Sequence, residues 1–317
     1  MIFIFSLSRS GSTWLGKIFD SHPGVFYLHE PDIVDRGLDI LPYWFEQELA
    51  PAQIAAATIY LQRLGSCRSV RAVGTRPFFH KTYRPLVAER LRRGFIYADK
   101  LAERVVAKRF GLIPVPDFAR AQPKPTLVIK SVSATGRAEA MIRAANGSLR
   151  PILLIRDPRS YVSSMIRGAR MGVMEPAVGL GALAKTSAAR ELNFPLGREE
   201  TFNEVETHAW TWLLASLEGR NAVLRANGVI LRFEALAKDP ATEAKELFSR
   251  VGLGWHSATE HFVAKAGTGH EKYYSVSRNP EAAIGGWRKE LRGEDVCRIE
   301  AIVSLNPLGQ SFLDDSG

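Results

Sequence analysis

Two cysteines, Cys67 and Cys297, are all that the 317 residues contain. That is too few for a disulfide framework or a cysteine-built metal cluster, so a reducing, cytoplasmic compartment is the expectation. The seven histidines show neither H-x-x-x-H nor cysteine-paired spacing, and no metal is expected. No apolar run approaches the roughly 20 residues that cross a bilayer. The first apolar segment starts at Ile2, too early for a leader's charged and apolar regions to precede it, so no leader is expected in the sequence as written. Lysine and arginine never form a compact block interleaved with aromatics, so a nucleic-acid groove is not expected. The cluster Arg90, Arg92, Arg93 reads as a solvated helix face. No repeat, low-complexity tract or linker interrupts the chain, and residues 1–317 read as one domain.

What is present begins with charge. Forty-two Lys and Arg against 33 Asp and Glu give a net +9, a balance that favours an anionic partner: a nucleic acid, a membrane surface, or an acidic substrate or cofactor. Five short apolar runs read as buried parallel strands: Ile2–Phe5, Val25–Leu28, Leu127–Ile129, Ile152–Ile155 and Val229–Phe233. Helical patterns lie between them at about 13–21, 86–110, 137–145, 160–170, 202–226 and 241–251. This alternation predicts an α/β fold, a three-layer α/β/α domain around a central parallel sheet of about five strands, with ligands at the strands' carboxyl ends. Two stretches, near 38–125 and 168–201, read as insertions that cover a site. The second is rich in glycine and proline and loop-like.

The most informative segment follows the first strand. Arg9, Ser10, Gly11, Ser12 and Thr13 form a short polar loop that runs into an amphipathic helix beginning near Trp14. A helix N-terminus fed by such a loop offers backbone N–H groups and the positive end of the helix dipole to one point, which suits phosphate. Gly11 permits close approach, the hydroxyls donate, and Arg9 adds fixed charge. The loop lacks the glycine-lysine pair and the opening glycine of the triphosphate motif G-x-x-x-x-G-K-[ST]. By itself it also fits an unliganded strand-turn-helix corner.

A second cluster follows the fourth strand. Arg156 emerges at its carboxyl end, Pro158 opens a helix, and Ser164 lies two turns on. Guanidinium and hydroxyl can converge on one anion. Alternatively, Asp157 pairs with Arg156 or Arg159 simply to order the helix entry.

Together the two clusters closely resemble the sulfotransferases that use 3'-phosphoadenosine 5'-phosphosulfate (PAPS), a family with a P-loop NTPase-like fold. In that family the first loop holds the 5'-phosphosulfate, which maps here onto Arg9, Ser10, Gly11, Ser12, Thr13 and Trp14. An Arg and a Ser eight apart bind the 3'-phosphate, mapping onto Arg156 and Ser164. Val229–Leu236 with Asp239-Pro240 is similar to the family's late strand. Ser277-Arg278-Asn279-Pro280 with Gly285-Gly286-Trp287-Arg288 is similar to the C-terminal cofactor segment of the glycan-modifying and bacterial branch.

The resemblance implies transfer of a sulfuryl group from PAPS to a hydroxyl or amine of a carbohydrate, glycolipid or other small-molecule alcohol, without a metal. Arg9 and Lys130 are the candidate charge-stabilising cations. Arg278, Trp287 and Arg288 are further cofactor contacts. The histidine that the small-phenol branch places two residues after the lysine is Val132 here. Glu30, in His29-Glu30-Pro31, is therefore the candidate base, with His29 as orienter or substitute and Asp32 as a rival in the same loop. A carboxylate acting as base near neutrality would need a raised pKa or proton transfer confined to the transition state. The rival reading is a P-loop kinase in which Asp157 holds magnesium.

Overall fold

The structure, a computed structural model, describes residues 1–34, 41–45, 49–106, 114–117, 124–174, 180–265 and 283–314. Its elements in chain order are β1 (Ile2–Ser6), α1 (Ser12–Ser21), β2 (Val25–His29), α2 (Pro31–Val34), α3 (Pro51–Ser66), α4 (Val70–Val73), α5 (Leu86–Val106), β3 (Thr126–Ser131), α6 (Ala138–Ala145), β4 (Arg150–Ile155) and α7 (Pro158–Arg170). They continue with α8 (Leu180–Leu183), α9 (Ser187–Glu191), α10 (Glu204–Arg225), β5 (Val229–Arg232), α11 (Phe233–Lys238), α12 (Pro240–Arg250), α13 (Ser257–Ala264), α14 (Gly293–Val303) and α15 (Pro307–Asp314).

All pairings are parallel, in the order β2-β3-β1-β4-β5. Successive side chains along a strand point to opposite faces. Phe3 and Phe5 accordingly enter one core with α3, α6, α7 and α10, while Ile2 and Ile4 enter a second with α1, α12 and α13. Because both faces are covered, the central strands read as continuous apolar runs rather than as alternating ones. The five strands and the three-layer arrangement match the sequence reading.

Helix entries follow local chemistry. Asp157 caps α7 by accepting from the Ser160 N–H at 2.9 Å, with Pro158 in the first turn. Asn203 and Glu206 form a reciprocal capping box on α10.

Two sequence readings need correction. The 168–201 stretch is not simply loop. Within it, α8 and α9 bury Leu180, Leu183, Ala188 and Ala189, and Phe194 packs edge-on to Trp210 at 4.9 Å. Short apolar clusters between glycines were enough to dock these turns on α10, where Glu218 accepts from Ser187 Oγ and the Ala188 N–H, each at 2.7 Å. The Arg90–Arg93 cluster is not a solvated face either, since Arg92 is buried and donates to the Val73 carbonyl at 2.7 Å.

Away from the strand ends, Asp20 on α1 anchors a cluster of charge in the interior. Its carboxylate meets Lys17 Nζ at 2.7 Å and Lys81 Nζ at 3.0 Å, and both lysines are buried. Burial pushes the Asp20 carboxyl up, but the two ammonium groups more than offset it and hold its pKa below the ordinary 3.8. Asp20→Asn is expected to cost about 3–5 kcal/mol at neutral pH, because it strands two buried cations. A group with a depressed folded-state pKa stabilises above its unfolded pKa and loses that contribution as pH falls through the folded value. The gap between wild type and variant in urea unfolding should therefore close in acid below about pH 4. Equal stabilities at neutral pH would contradict this account.

Candidate active site

Every strand delivers a polar or aromatic residue to the sheet's carboxyl edge. After β1 the chain turns through Arg9 (φ 65°) and Gly11 (φ 84°) into α1, whose first turn has no side-chain cap at Gly11. The loop is tightly seated. A Cβ at Gly11 would lie 2.4 Å from the Phe233 ring just past β5, so the position accepts glycine on both steric and backbone grounds. Ser10 and Ser12 are buried, and Trp14 packs edge-on to Phe233 with its indole N–H buried and without a partner among the described residues.

The two sequence clusters meet. Arg9 Nε donates to Ser164 Oγ at 3.0 Å across the gap between the β1 loop and α7. Arg156, at the end of β4, donates through Nη1 to the Arg9 carbonyl at 2.9 Å and through Nη2 to the Ala283 carbonyl at 3.0 Å. Its guanidinium lies over the Phe233 ring at 4.9 Å. Its Nε is buried without a partner among the described residues. A buried, unsatisfied guanidinium N–H beside a second arginine and a hydroxyl is a donor set that fits an anion. Burial lowers the Arg156 pKa from its usual value, an effect that Glu234 opposes. Glu234 itself accepts from the Asp157 N–H at 3.0 Å, so it orders the turn into α7.

Asp157 is fully engaged, by the Ser160 cap and by Arg159 Nη2 at 2.6 Å. That is the helix-entry role weighed in the sequence, and it occupies the carboxylate that a kinase would need for magnesium. Arg159 also lies 4.6 Å from the Trp287 ring centroid, and Arg288 lies 4.8 Å from it. Glu290 accepts from Ser163 Oγ and Arg167 Nη1. The segment carrying Trp287 and Arg288 is thereby fastened to α7, beside Ser164. Arg278 lies outside the described residues.

At the other end of the edge, Glu30 follows β2 with φ 46° and forms a hydrogen-bonded ion pair with Lys130 Nζ on β3. The pair is local to the sheet, since β2 and β3 are adjacent and His29 stands in register with Lys130. Burial raises the Glu30 carboxyl, but Lys130 and His29 outweigh it and leave the pKa below its ordinary 4.5. Burial lowers the Lys130 ammonium, partly offset by Glu30. Burial, with Lys130 beside it, pushes His29 down to about 4. Its Nδ1 meets the Tyr27 hydroxyl at 3.1 Å and its Nε2 lies 4.0 Å from Glu30.

The resting pair is thus an ionised carboxylate beside a neutral imidazole, not the raised carboxyl that a free-standing base would require. Asp32, the rival in the same loop, is half-buried and accepts from Ser131 Oγ and, at 3.4 Å, Tyr60 OH. Burial raises its pKa.

Beside Glu30 opens a cavity of ≈ 310 Å³, lined by His29, Glu30, Ile33, Val70, Arg71, Gly74, Thr75 and Lys100. Five of these eight residues belong to the 38–125 stretch, which carried no recognisable motif in the sequence. They were missed because a pocket wall needs only shape and a few polar groups, and neither leaves a spacing pattern.

The sheet order and the loops after β1 and β4 define a P-loop-like α/β protein whose converging donors fit an anion. A sequence profile described as the sulfotransferase family matches residues 2–257. The chain belongs to the sulfotransferase family, and it is an enzyme of that class. Carbohydrate sulfotransferase 5 of Mus musculus is 23% identical over 316 residues, covering 95% of this chain and 78% of the relative. Carbohydrate sulfotransferase 1 of Danio rerio is 23% identical over 357 residues, covering 100% of this chain and 77% of the relative. Among solved structures, mouse sulfotransferase SULT7A1 complexed with PAP aligns over 99% of this chain and 88% of its own, at 12% identity and a TM-score of 0.48.

Proposed function

We propose that the chain moves a sulfuryl group from PAPS to a hydroxyl of a carbohydrate-bearing acceptor. The observation that carries this reading is the meeting of the β1 loop and α7: Arg9 on Ser164, and Arg156 on the Arg9 carbonyl. The carbohydrate sulfotransferases among its relatives favour a sugar hydroxyl as acceptor. The two free cysteines keep a reducing compartment as our proposal for its location.

The residues present fit the donor. Arg156, with its buried Nε lacking a partner among the described residues, and Ser164 would take the 3'-phosphate. The uncapped start of α1, with Ser10, Ser12, Thr13 and Arg9, would take the 5'-phosphosulfate. At Gly11 the loop packs too closely on the Phe233 ring to admit a side chain. Trp14, Trp287 and Arg288 are the proposed further contacts. When bound, the donor supplies a sulfuryl group on a good phosphate leaving group.

The chain's own work is positioning and charge neutralisation. Arg9 and the loop N–H groups stabilise charge at the leaving oxygen. Glu30 faces the cavity and takes the acceptor proton as transfer proceeds. Lys130 is the control element: an anion that competes for its ammonium weakens its hold on Glu30 and raises the carboxylate's proton affinity. His29, neutral and anchored by Tyr27, orients Glu30.

Incubating the protein with 35S-labelled PAPS and a panel of neutral and acidic oligosaccharides tests the reading. Label should appear in a sugar product without added magnesium. Transfer from ATP instead, in a magnesium-dependent reaction, would replace this reading with a kinase.

A further inference from the structure

Helix α5 turns several charged residues inward beside Ile96 and leaves most of its large apolar side chains outside. Its acidic residues Glu89 and Asp99 and its Arg92 are buried, at 6%, 8% and 6% exposure. Leu86, Val87, Leu91, Tyr97 and Leu101 face solvent at 61%, 67%, 61%, 46% and 61%. The inward polarity has a cause. Glu89 meets Arg84 at 3.5 Å, Arg92 at 3.6 Å and Arg93 at 3.1 Å, while Arg92 and Lys100 donate to the Val73 and Gly74 carbonyls. Those bonds fix the rotation of the helix and leave the apolar stripe outward. Spacings of four, six and four residues from Val87 through Leu91 and Tyr97 to Leu101 keep the stripe along one side for about four turns.

Charge selects the occupant. From Leu86 to Ala102, each charged residue that reaches the surface is a cation: Arg90 is exposed, and Arg93 and Lys100 are half-buried at its flanks. Arg76 extends the same edge, its guanidinium 4.7 Å from the Tyr97 ring centroid. A second copy of this face would set cation against cation. An apolar stripe rimmed by arginine and lysine, with an aromatic among them, instead matches the headgroup boundary of an anionic bilayer. Among the described residues no helix is long and apolar enough to cross a membrane.

We propose that α5 docks this protein onto an anionic membrane surface. The stripe and the acceptor cavity share an edge, because Lys100 of α5 and Thr75, next to Arg76, line the cavity that holds Glu30. Docking therefore brings the cavity to the bilayer. If the sulfotransferase reading of that cavity holds, its acceptor hydroxyl is carried on a lipid headgroup.

The test is co-sedimentation of the full chain with phosphatidylcholine vesicles, with and without about 30% phosphatidylglycerol, at low and high salt. Binding to the anionic vesicles should exceed binding to neutral ones by at least about tenfold and should weaken with salt. Val87→Ser/Leu91→Ser/Leu101→Ser should lose at least about tenfold in partitioning, because three apolar side chains no longer enter the interface. Arg90→Glu, a milder surface change that guards against misfolding of the triple variant, should lose most of the salt-sensitive part. Both variants should keep wild-type circular dichroism and wild-type binding of adenosine 3',5'-bisphosphate. A wild type that stays in the supernatant with anionic vesicles, or a triple variant that pellets like wild type, would overturn the proposal. So would a wild-type dimer that the triple variant converts to a monomer without vesicle affinity, which would make the face a contact between copies. Bisphosphate binding separates the two ideas: its failure strikes the donor-site reading, while vesicle partitioning judges α5 alone.

Discussion

Glu30→Gln should lower kcat by about 10²–10⁴, the range that a positioned general base contributes, while leaving the affinity for adenosine 3',5'-bisphosphate unchanged. The amide keeps the shape and one acceptor of the carboxylate but cannot take a proton. The proposed donor contacts lie elsewhere on the edge, around Arg9, Arg156 and Ser164. Because Lys130 holds the Glu30 pKa below 4.5, the carboxylate is ionised throughout the neutral range, and the acid limb of kcat/KM for the free enzyme should fall below that value. His29, pushed down to about 4, contributes no inflection near neutrality. Lys130→Met supplies the sign test. With the ammonium gone, burial is left to act on Glu30, its pKa rises, and the acid limb moves upward. Single-turnover rates across pH for wild type and both variants would decide the matter. Wild-type turnover in Glu30→Gln removes the carboxylate from the mechanism, and an unmoved limb in Lys130→Met removes the coupling.

The sheet was legible because its strands are buried on both faces: Phe3-Ile4-Phe5 and Ile152–Ile155 can hardly read as anything but central parallel strands. The two polar clusters were legible because each is contiguous in the sequence. Arg156, Pro158 and Ser164 lie within one strand end and the first two turns of the helix that follows it. Glu30 and Lys130 were identified separately, but not as an ion pair. Their contact spans 100 residues and arises from the β2–β3 pairing, which no local spacing encodes. The wall of the cavity beside Glu30 and the outward apolar stripe of α5 were illegible for a different reason. Periodicity reports that a helix has two faces but not which one turns inward, and hydrophobicity ordinarily supplies the answer. In α5 the buried ion pairs of Glu89 overruled it. The same arrangement explains why the Arg90–Arg93 cluster misled: its middle member, Arg92, is tied to Val73 while leucines face water.

Arg156→Ala should weaken binding of adenosine 3',5'-bisphosphate by about 3 kcal/mol, on the order of a hundredfold in Kd. The guanidinium is not an ornament of the site. It ties the β1 loop to the segment at Ala283 through two carbonyls, while Nε remains buried and unmatched among the described residues. Removal therefore has two consequences, and they can be told apart. Loss of the carbonyl bonds lowers the thermal midpoint of the free protein. Loss of the phosphate contact shrinks the further rise in midpoint that saturating bisphosphate gives, since that rise measures ligand affinity alone. Arg156→Lys keeps a charge but not the planar fork, so it should recover only part of the affinity. Calorimetry without magnesium, on wild type and both variants, reads the affinities directly. If Arg156→Ala binds as tightly as wild type, the 3'-phosphate is held elsewhere. If the wild type ignores the bisphosphate and takes magnesium-ATP instead, the convergence of Arg9, Ser164 and Arg156 serves a different nucleotide.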